Sequence, residues 1–190
     1  MPELALTPAN TALVLIDLQN GIVSREAQPR SSKEVMKNAS RLAGAFRAKG
    51  APVIYIHVDL GNFLPLVTDV PARAPNAPPP AADAMDLAPE SGFMDGDTLI
   101  TKRHWGAFAG TTLEETLRKH GVTTVVLCGI STNAGVESTA RQGTGLGFNF
   151  VIVEDACASN DGDAHRFAFE KIFPRIARVR NTAEVITALA

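Results

Sequence analysis

The sequence is poor in cysteine, has little excess of either charge and contains no long apolar run. Its only cysteines, Cys128 and Cys157, stand in apolar, strand-like contexts. A disulfide framework is therefore excluded, and reduced thiols in the cytoplasm are expected. The formal net charge is -2 and no run of Lys or Arg stands out, which argues against nucleic acid or an anionic membrane as partner. No apolar run approaches the roughly 18 residues that span a bilayer. The opening "MPELALTPAN" has no basic stretch followed by an apolar one, so no signal peptide is expected. What these absences leave is a soluble single domain over 1–190. Apolar residues make up 45% of it and charged ones 20%, enough to bury a substantial core.

What is present is an alternation of buried strands and amphipathic helices. "TALVLID" (11–17), "APVIYIHV" (51–58), "TTVVLCGI" (123–130) and "FNFVIVED" (148–155) are continuous apolar runs rich in Val and Ile, as parallel strands covered on both faces should be. "DTLITK" (97–102) reads as a fifth strand and the short "RVR" (178–180) as an edge strand. Helical patterns lie between them. "SSKEVMKNASRLAGAFRAKG" puts Val35, Ala39, Leu42, Ala43 and Phe46 on one stripe and stops at Gly50,. "TTLEETLRKHG" has Thr111 or Thr112 as its cap, "GDAHRFAFEKIFPRIA" breaks at Pro174, and "TAEVITALA" closes the chain,. The alternation predicts an α/β fold, a three-layer doubly wound sandwich with right-handed crossovers. The Pro-rich excursion 61–96 does not fit it, and is expected to act as a lid or an oligomer contact.

Doubly wound sheets bind ligands beyond the carboxyl ends of their strands. The polar residues expected there are Asp17, Asp59, Lys102, the turn Ser131–Gly135 and the pair Glu154–Asp155. Asp17 ends an apolar strand and is followed by Gln19. Lys102 ends another and is followed by Trp105 and Phe108, which are expected to wall a pocket. A carboxylate and an ammonium at neighbouring strand ends hold each other charged and favour proton transfer when substrate intrudes. "GTGLG" (143–147) follows a helix and precedes a strand, the reverse of a dinucleotide site. It reads as a helix C-cap, and no nicotinamide cofactor is expected. In "NDGDAH" (160–165), Asp161 or Asp163 reads as a helix cap rather than a metal ligand. His57 reads as a satisfied core histidine, so no metal is expected either.

Three ordered stretches, "LVLIDLQNG", "ITKRHWGAFAGTTLEETL" and "VLCGISTNAGVESTARQGTGLGFNFVIVEDACAS", resemble the isochorismatase-like hydrolases, also called the cysteine hydrolase superfamily. The resemblance covers nearly the whole chain. It implies a six-stranded, mainly parallel sheet flanked by helices, and assembly as a homodimer or larger homo-oligomer. It also implies an Asp–Lys–Cys triad, of which Asp17 and Lys102 match the first two members. Gly135 stands at the position of the family Cys. The N–H groups of Ser131 and Gly135 match the family's oxyanion hole, and a cis peptide is expected between Ile130 and Ser131.

A glycine forms no thioester, so covalent amide hydrolysis by the family route is excluded. Cys128 within its strand and Cys157 beyond another do not substitute, and a hydroxyl at Ser131 or Thr132 would need a base to act as nucleophile. The resemblance supplies a precedent in the true isochorismatases, which look glycine-bearing here and cleave a vinyl ether by protonation from the matching carboxylate. Asn133 stands where those enzymes tend to carry a histidine, "KRHWGAF" replaces their "KWRYSAF"-like run, and the aryl carrier domain found on some of them is not expected here. Three readings follow: acid-catalysed hydrolysis of a small acidic metabolite, a catalytically silent binder of a small molecule or protein, and an amidohydrolase using an activated water.

Overall fold

A computed structural model describes residues 4–71, 74 and 76–189; the first three residues of the opening segment, positions 72, 73 and 75 of the Pro-rich excursion and Ala190 lie outside the described residues. The elements follow in chain order β1 (Thr11–Ile16), α1 (Asn20–Val23), α2 (Ser32–Ala48), β2 (Val53–Val58), β3 (Thr98–Lys102), α3 (Leu113–Lys119) and β4 (Thr124–Ile130). A π-helical turn (Thr132–Val136), α4 (Glu137–Gly145), β5 (Asn149–Ala158), α5 (Gly162–Phe167), a second π-helical turn (Ala168–Ile172), α6 (Phe173–Ile176), β6 (Arg178–Arg180) and α7 (Thr182–Ala188) complete it. No helix among the described residues is long and apolar enough to cross a membrane.

The six strands form one sheet in the order β3-β2-β1-β4-β5-β6, and every pairing is parallel. This is the expected doubly wound α/β architecture. Every residue of β1 is buried, which is why its sequence reads as an unbroken apolar run. The winding reverses between β1 and β4. Right-handed crossovers then set α2 and α7, which pack together, on one face and α4 and α6 on the other,. Helix α2 starts with a capping box between Ser31 and Glu34 and buries Val35, Met36, Ala39, Leu42, Ala43 and Phe46,. Gly50 beyond its end adopts φ +67°, as an αL stop requires.

Strand β5 departs from expectation. Glu154 and Asp155 do not end it. The register with β4 shifts between Leu127 and Gly129, so that Leu127 faces Ile152 but Gly129 faces Cys157. The acidic pair is looped out mid-strand, and buried Ala156, Cys157 and Ala158 resume it. Asp155 instead accepts from the Thr182 N–H and hydroxyl at the start of α7 (2.7 and 2.8 Å). Several smaller expectations hold. Asp161 caps α5 by accepting from the Asp163 and Ala164 N–H groups, and α4 ends within "GTGLG". Half-buried His57 has both ring nitrogens engaged, by the Met85 carbonyl and the Thr101 hydroxyl. At the entry to α3 it is Thr111, not Thr112, whose hydroxyl accepts from a helix N–H, that of Leu113.

The connection from β2 to β3 contains no α-helix among its described residues. Its later part is tied to the body. Tyr55 donates to the Ser91 carbonyl (2.9 Å), and Arg47 bridges Asp97 and the Gly92 carbonyl (2.6 Å each). Its earlier part exposes Leu66, Val67 and Val70. Gln19 is the buried tie at the other end. Its amide donates to the Val58 and Ala84 carbonyls (2.9 and 3.0 Å) and accepts from the Val58 N–H (2.6 Å). Replacing it by Leu removes all three bonds in a site of nearly unchanged volume, and only the Ala84 carbonyl keeps a second donor there, the Gly21 N–H. Gln19→Leu should lower unfolding free energy by about 2 to 4 kcal/mol; a urea titration checks this as a shifted midpoint at unchanged slope.

Candidate active site

β1 and β3 flank β2, and Val58 pairs with Lys102 where Ile16 pairs with Ile56. Asp17, one residue past β1, and Lys102, the last of β3, therefore meet over the carboxyl end of β2. Lys102 Nζ lies 2.8 Å from Asp17 Oδ2 and donates to the Trp105 carbonyl at 2.6 Å. Both side chains are almost fully buried, with 2% of Lys102 and 5% of Asp17 exposed. Asp17 also adopts φ +54°, the one positive value at a non-glycine residue among those described. Backbone held in this sparsely populated region is a recurrent feature of functional sites.

The third position arrives from β4. Its last residue joins Ser131 through a cis peptide, as the family resemblance implies, and the chain then enters the π-helical turn that holds Gly135. A Cβ on Gly135 would lie 2.7 Å from Ile16 Cγ2, 2.9 Å from Lys102 Nζ and 3.1 Å from Asp17 Oδ2. The three expected catalytic positions thus converge on one point. The volume of a side chain at 135 is already taken up by the closed ion pair. The Ala134 and Val136 N–H groups both return to the Ser131 carbonyl at 3.2 Å; the Gly135 N–H between them takes no part in that bond.

Two opposed influences act on the Asp17 carboxyl. Burial raises its pKa and is the larger; the charge and hydrogen bond of Lys102, then the charge of His57, lower it. The net result is a carboxyl above its ordinary range. Its Oδ1 is buried with no hydrogen-bond partner, so Lys102 is the main group that offsets its lost hydration,. A carboxyl whose folded pKa is raised adds stability that is complete below its unfolded pKa and is lost as pH rises through the folded one. Ionising Asp17 within the fold therefore works against stability,.

The remaining expected residues divide. Trp105 stays at the site, its carbonyl on Lys102 and its side chain 47% exposed. Asn133 lies on the turn, where its Oδ1 accepts from the hydroxyls of Ser131 (3.1 Å) and Ser159 (2.6 Å). Gln19 does not face a substrate; its amide is consumed by the ties to Val58 and Ala84. Phe108 does not wall a pocket either. Its ring stacks on Phe148 at 5.7 Å, beside the start of β5 and so toward the opposite end of the sheet. Asp59 is absorbed by its own turn, accepting from Gly61 and Asn62, which hold its carboxyl below the usual range.

Several residues that shape the site carry no warning in the sequence. Buried Thr139 donates to the Gly135 carbonyl (2.6 Å) and accepts from the Ala107 N–H (3.0 Å), while Gln142 accepts from the Phe108 N–H. These bonds lock α4 to the loop that carries Trp105. Behind the turn, Thr132 Oγ1 lies 2.8 Å from His165 Nδ1, and burial lowers the imidazole pKa to about 4. Thr139 alone had a local signal: it stands four residues after Gly135, where a hydroxyl bonds back to a helical carbonyl.

Comparison with known proteins agrees with this fold. The isochorismatase domain matches residues 11–184. The chain is 46% identical over 195 residues to the uncharacterized isochorismatase family protein YecD of Escherichia coli O157:H7, covering 98% of this chain and 100% of the relative. An isochorismatase family protein from Burkholderia thailandensis superposes with a TM-score of 0.90 at 42% identity over 99% of both chains. The ureidoacrylate amidohydrolase RutB of Methylobacterium radiotolerans is 30% identical over 219 residues, covering 99% of this chain and 83% of the relative. The chain belongs to the isochorismatase family and is one of its hydrolases.

Proposed function

We propose that the protein hydrolyses a small acidic metabolite by acid catalysis from Asp17, without a covalent enzyme intermediate, and that a vinyl ether is the bond cleaved. The observation that carries this reading is a buried carboxyl, raised by its surroundings, poised beside a residue with no side chain. A carboxyl raised by burial takes up a proton more readily than a solvated one and, once protonated, is a competent proton donor. In this scheme Asp17 delivers its proton to the terminal vinyl carbon, leaving an oxocarbenium ion. Water adds to that cation to give a hemiketal, which collapses to a ketone and an alcohol while a proton returns to Asp17. Lys102 and the N–H groups of Ser131 and Gly135 hold the negative charge of the substrate. The same reading takes the molecule as a cytoplasmic homo-oligomer, in which buried Cys128 and Cys157 remain thiols.

Amide hydrolysis by an activated water is the second reading, supported by the 30% identity to a ureidoacrylate amidohydrolase. A silent binder is the third, and the energetics weigh against it: a site without chemistry has no need of a buried ion pair that opposes stability.

Two measurements test this. Pyruvate release from isochorismate, coupled to a dehydrogenase, should be detectable and should fall by about 10²- to 10⁴-fold in Asp17→Asn. Hydrolysis of an amide panel with no pyruvate release would shift the assignment to the second reading. Separately, Asp17→Asn alone should lose roughly 3 to 5 kcal/mol by stranding the Lys102 ammonium. Combining it with Lys102→Met should restore stability at pH 7 to the native level or about 1 to 4 kcal/mol above it. Thermal melts read the order, and a double variant far less stable than the native protein would show the pair to be structural.

A further inference from the structure

Lys102 has three N–H bonds. One meets Asp17 Oδ2 at 2.8 Å and one the Trp105 carbonyl at 2.6 Å, which leaves a single donor for anything that enters. The pair is electrically balanced, and its surroundings offer Asp17 nothing else, since Oδ1 is buried and unpartnered. Gly135 leaves no spare volume at the contact, because even a methyl group there would touch both partners. An anion that takes this remaining donor comes to share the ammonium with Asp17. That would leave two like charges beside one cation in a site with little water, and two such charges a few ångströms apart do not both stay ionised.

We infer that this site binds a small carboxylate together with one proton, the ligand taking the free donor of Lys102 while the proton comes to rest on Asp17. The inference rests on the reading of Asp17 and Lys102 as the substrate site. The balance is simple: ligand anion plus one proton from solvent enter, and the site stays neutral. Other groups around Asp17 do not supply that proton. His57 on β2 has both ring nitrogens engaged. Cys128 on β4 is held as a thiol by burial, its pKa well above the ordinary value. Lys102 on β3 is the ligand's own partner. Among the residues of the π-helical turn, Thr132–Val136, none titrates. The consequence is an enzyme that arms itself on binding, since the event that seats the substrate also loads the acid.

The test is calorimetric titration of the protein with benzoate, and with uncharged benzamide of the same shape, in phosphate and in Tris. The half-exposed Trp105 ring makes an aromatic acid a suitable probe. The heats in the two buffers should differ by the uptake of about one proton per benzoate, and the dissociation constant should rise about tenfold per pH unit over the range in which free Asp17 is ionised. Asp17→Asn should bind benzoate with no proton uptake and no such slope, and Lys102→Gln should not bind it. Benzoate bound by the native protein without a proton, no benzoate binding at any pH, or an equal proton uptake with benzamide or in Lys102→Gln would each overturn the inference. The native arm decides even where a variant fails to fold. Proton-linked binding without pyruvate release would leave this inference standing and refute the vinyl-ether reading; pyruvate release with unlinked binding would do the reverse.

Discussion

The contact between Asp17 and Lys102 is the constraint around which the carboxyl end of the sheet is organised. Two strands that are not neighbours, β1 and β3, must end at matching heights so that their last polar side chains meet across β2. Chain direction past β1 is bent into an unusual conformation at Asp17. The loop after β3 folds back so that the Trp105 carbonyl completes the shell of the ammonium. The turn after β4 brings its smallest residue to the contact. Each of these would be a weak choice for a chain selected on stability alone, and together they place a charged pair where the hydrophobic effect would favour leucines.

Most of the sheet was legible in the sequence for a physical reason. Parallel strands covered on both faces need no polar residue until they leave the layer, so Asp17 announced itself by ending an apolar run, while Lys102 closes the edge strand β3, whose residues alternate between buried and exposed. The same rule misled at Glu154–Asp155, because a strand that loops out two acids and then resumes looks, residue by residue, like a strand that stops. Gln19 and Phe108 were misplaced for a different reason: nearness along the chain to a functional residue says nothing of direction. The positive φ at Asp17 breaks the two-residue alternation that would otherwise have indicated where Gln19 points. Ser159 and His165 were invisible because they reach the turn from segments far away in sequence, and only the fold brings them there.

The turn is braced more heavily than a surface loop requires. Hydroxyls of Ser131 and Ser159 converge on one amide oxygen of Asn133, Thr132 leans on a neutral imidazole, and Thr139 holds the Gly135 carbonyl. None of these side chains brings a formal charge to the pair. Rigidity is thus supplied by uncharged groups, which leaves the electrostatic state of the site to a single carboxyl and a single ammonium. Such a separation of bracing from charge lets one protonation event matter.

Gly135 also fixes the terms on which its own position could be filled. With the ammonium and carboxylate closed into the space a side chain would fill, even alanine at this position meets Lys102, Asp17 and Ile16 at once. A side chain placed there would need Ile16 and the Lys102 ammonium to give way, so the spacing of the ion pair and the occupancy of position 135 are set together.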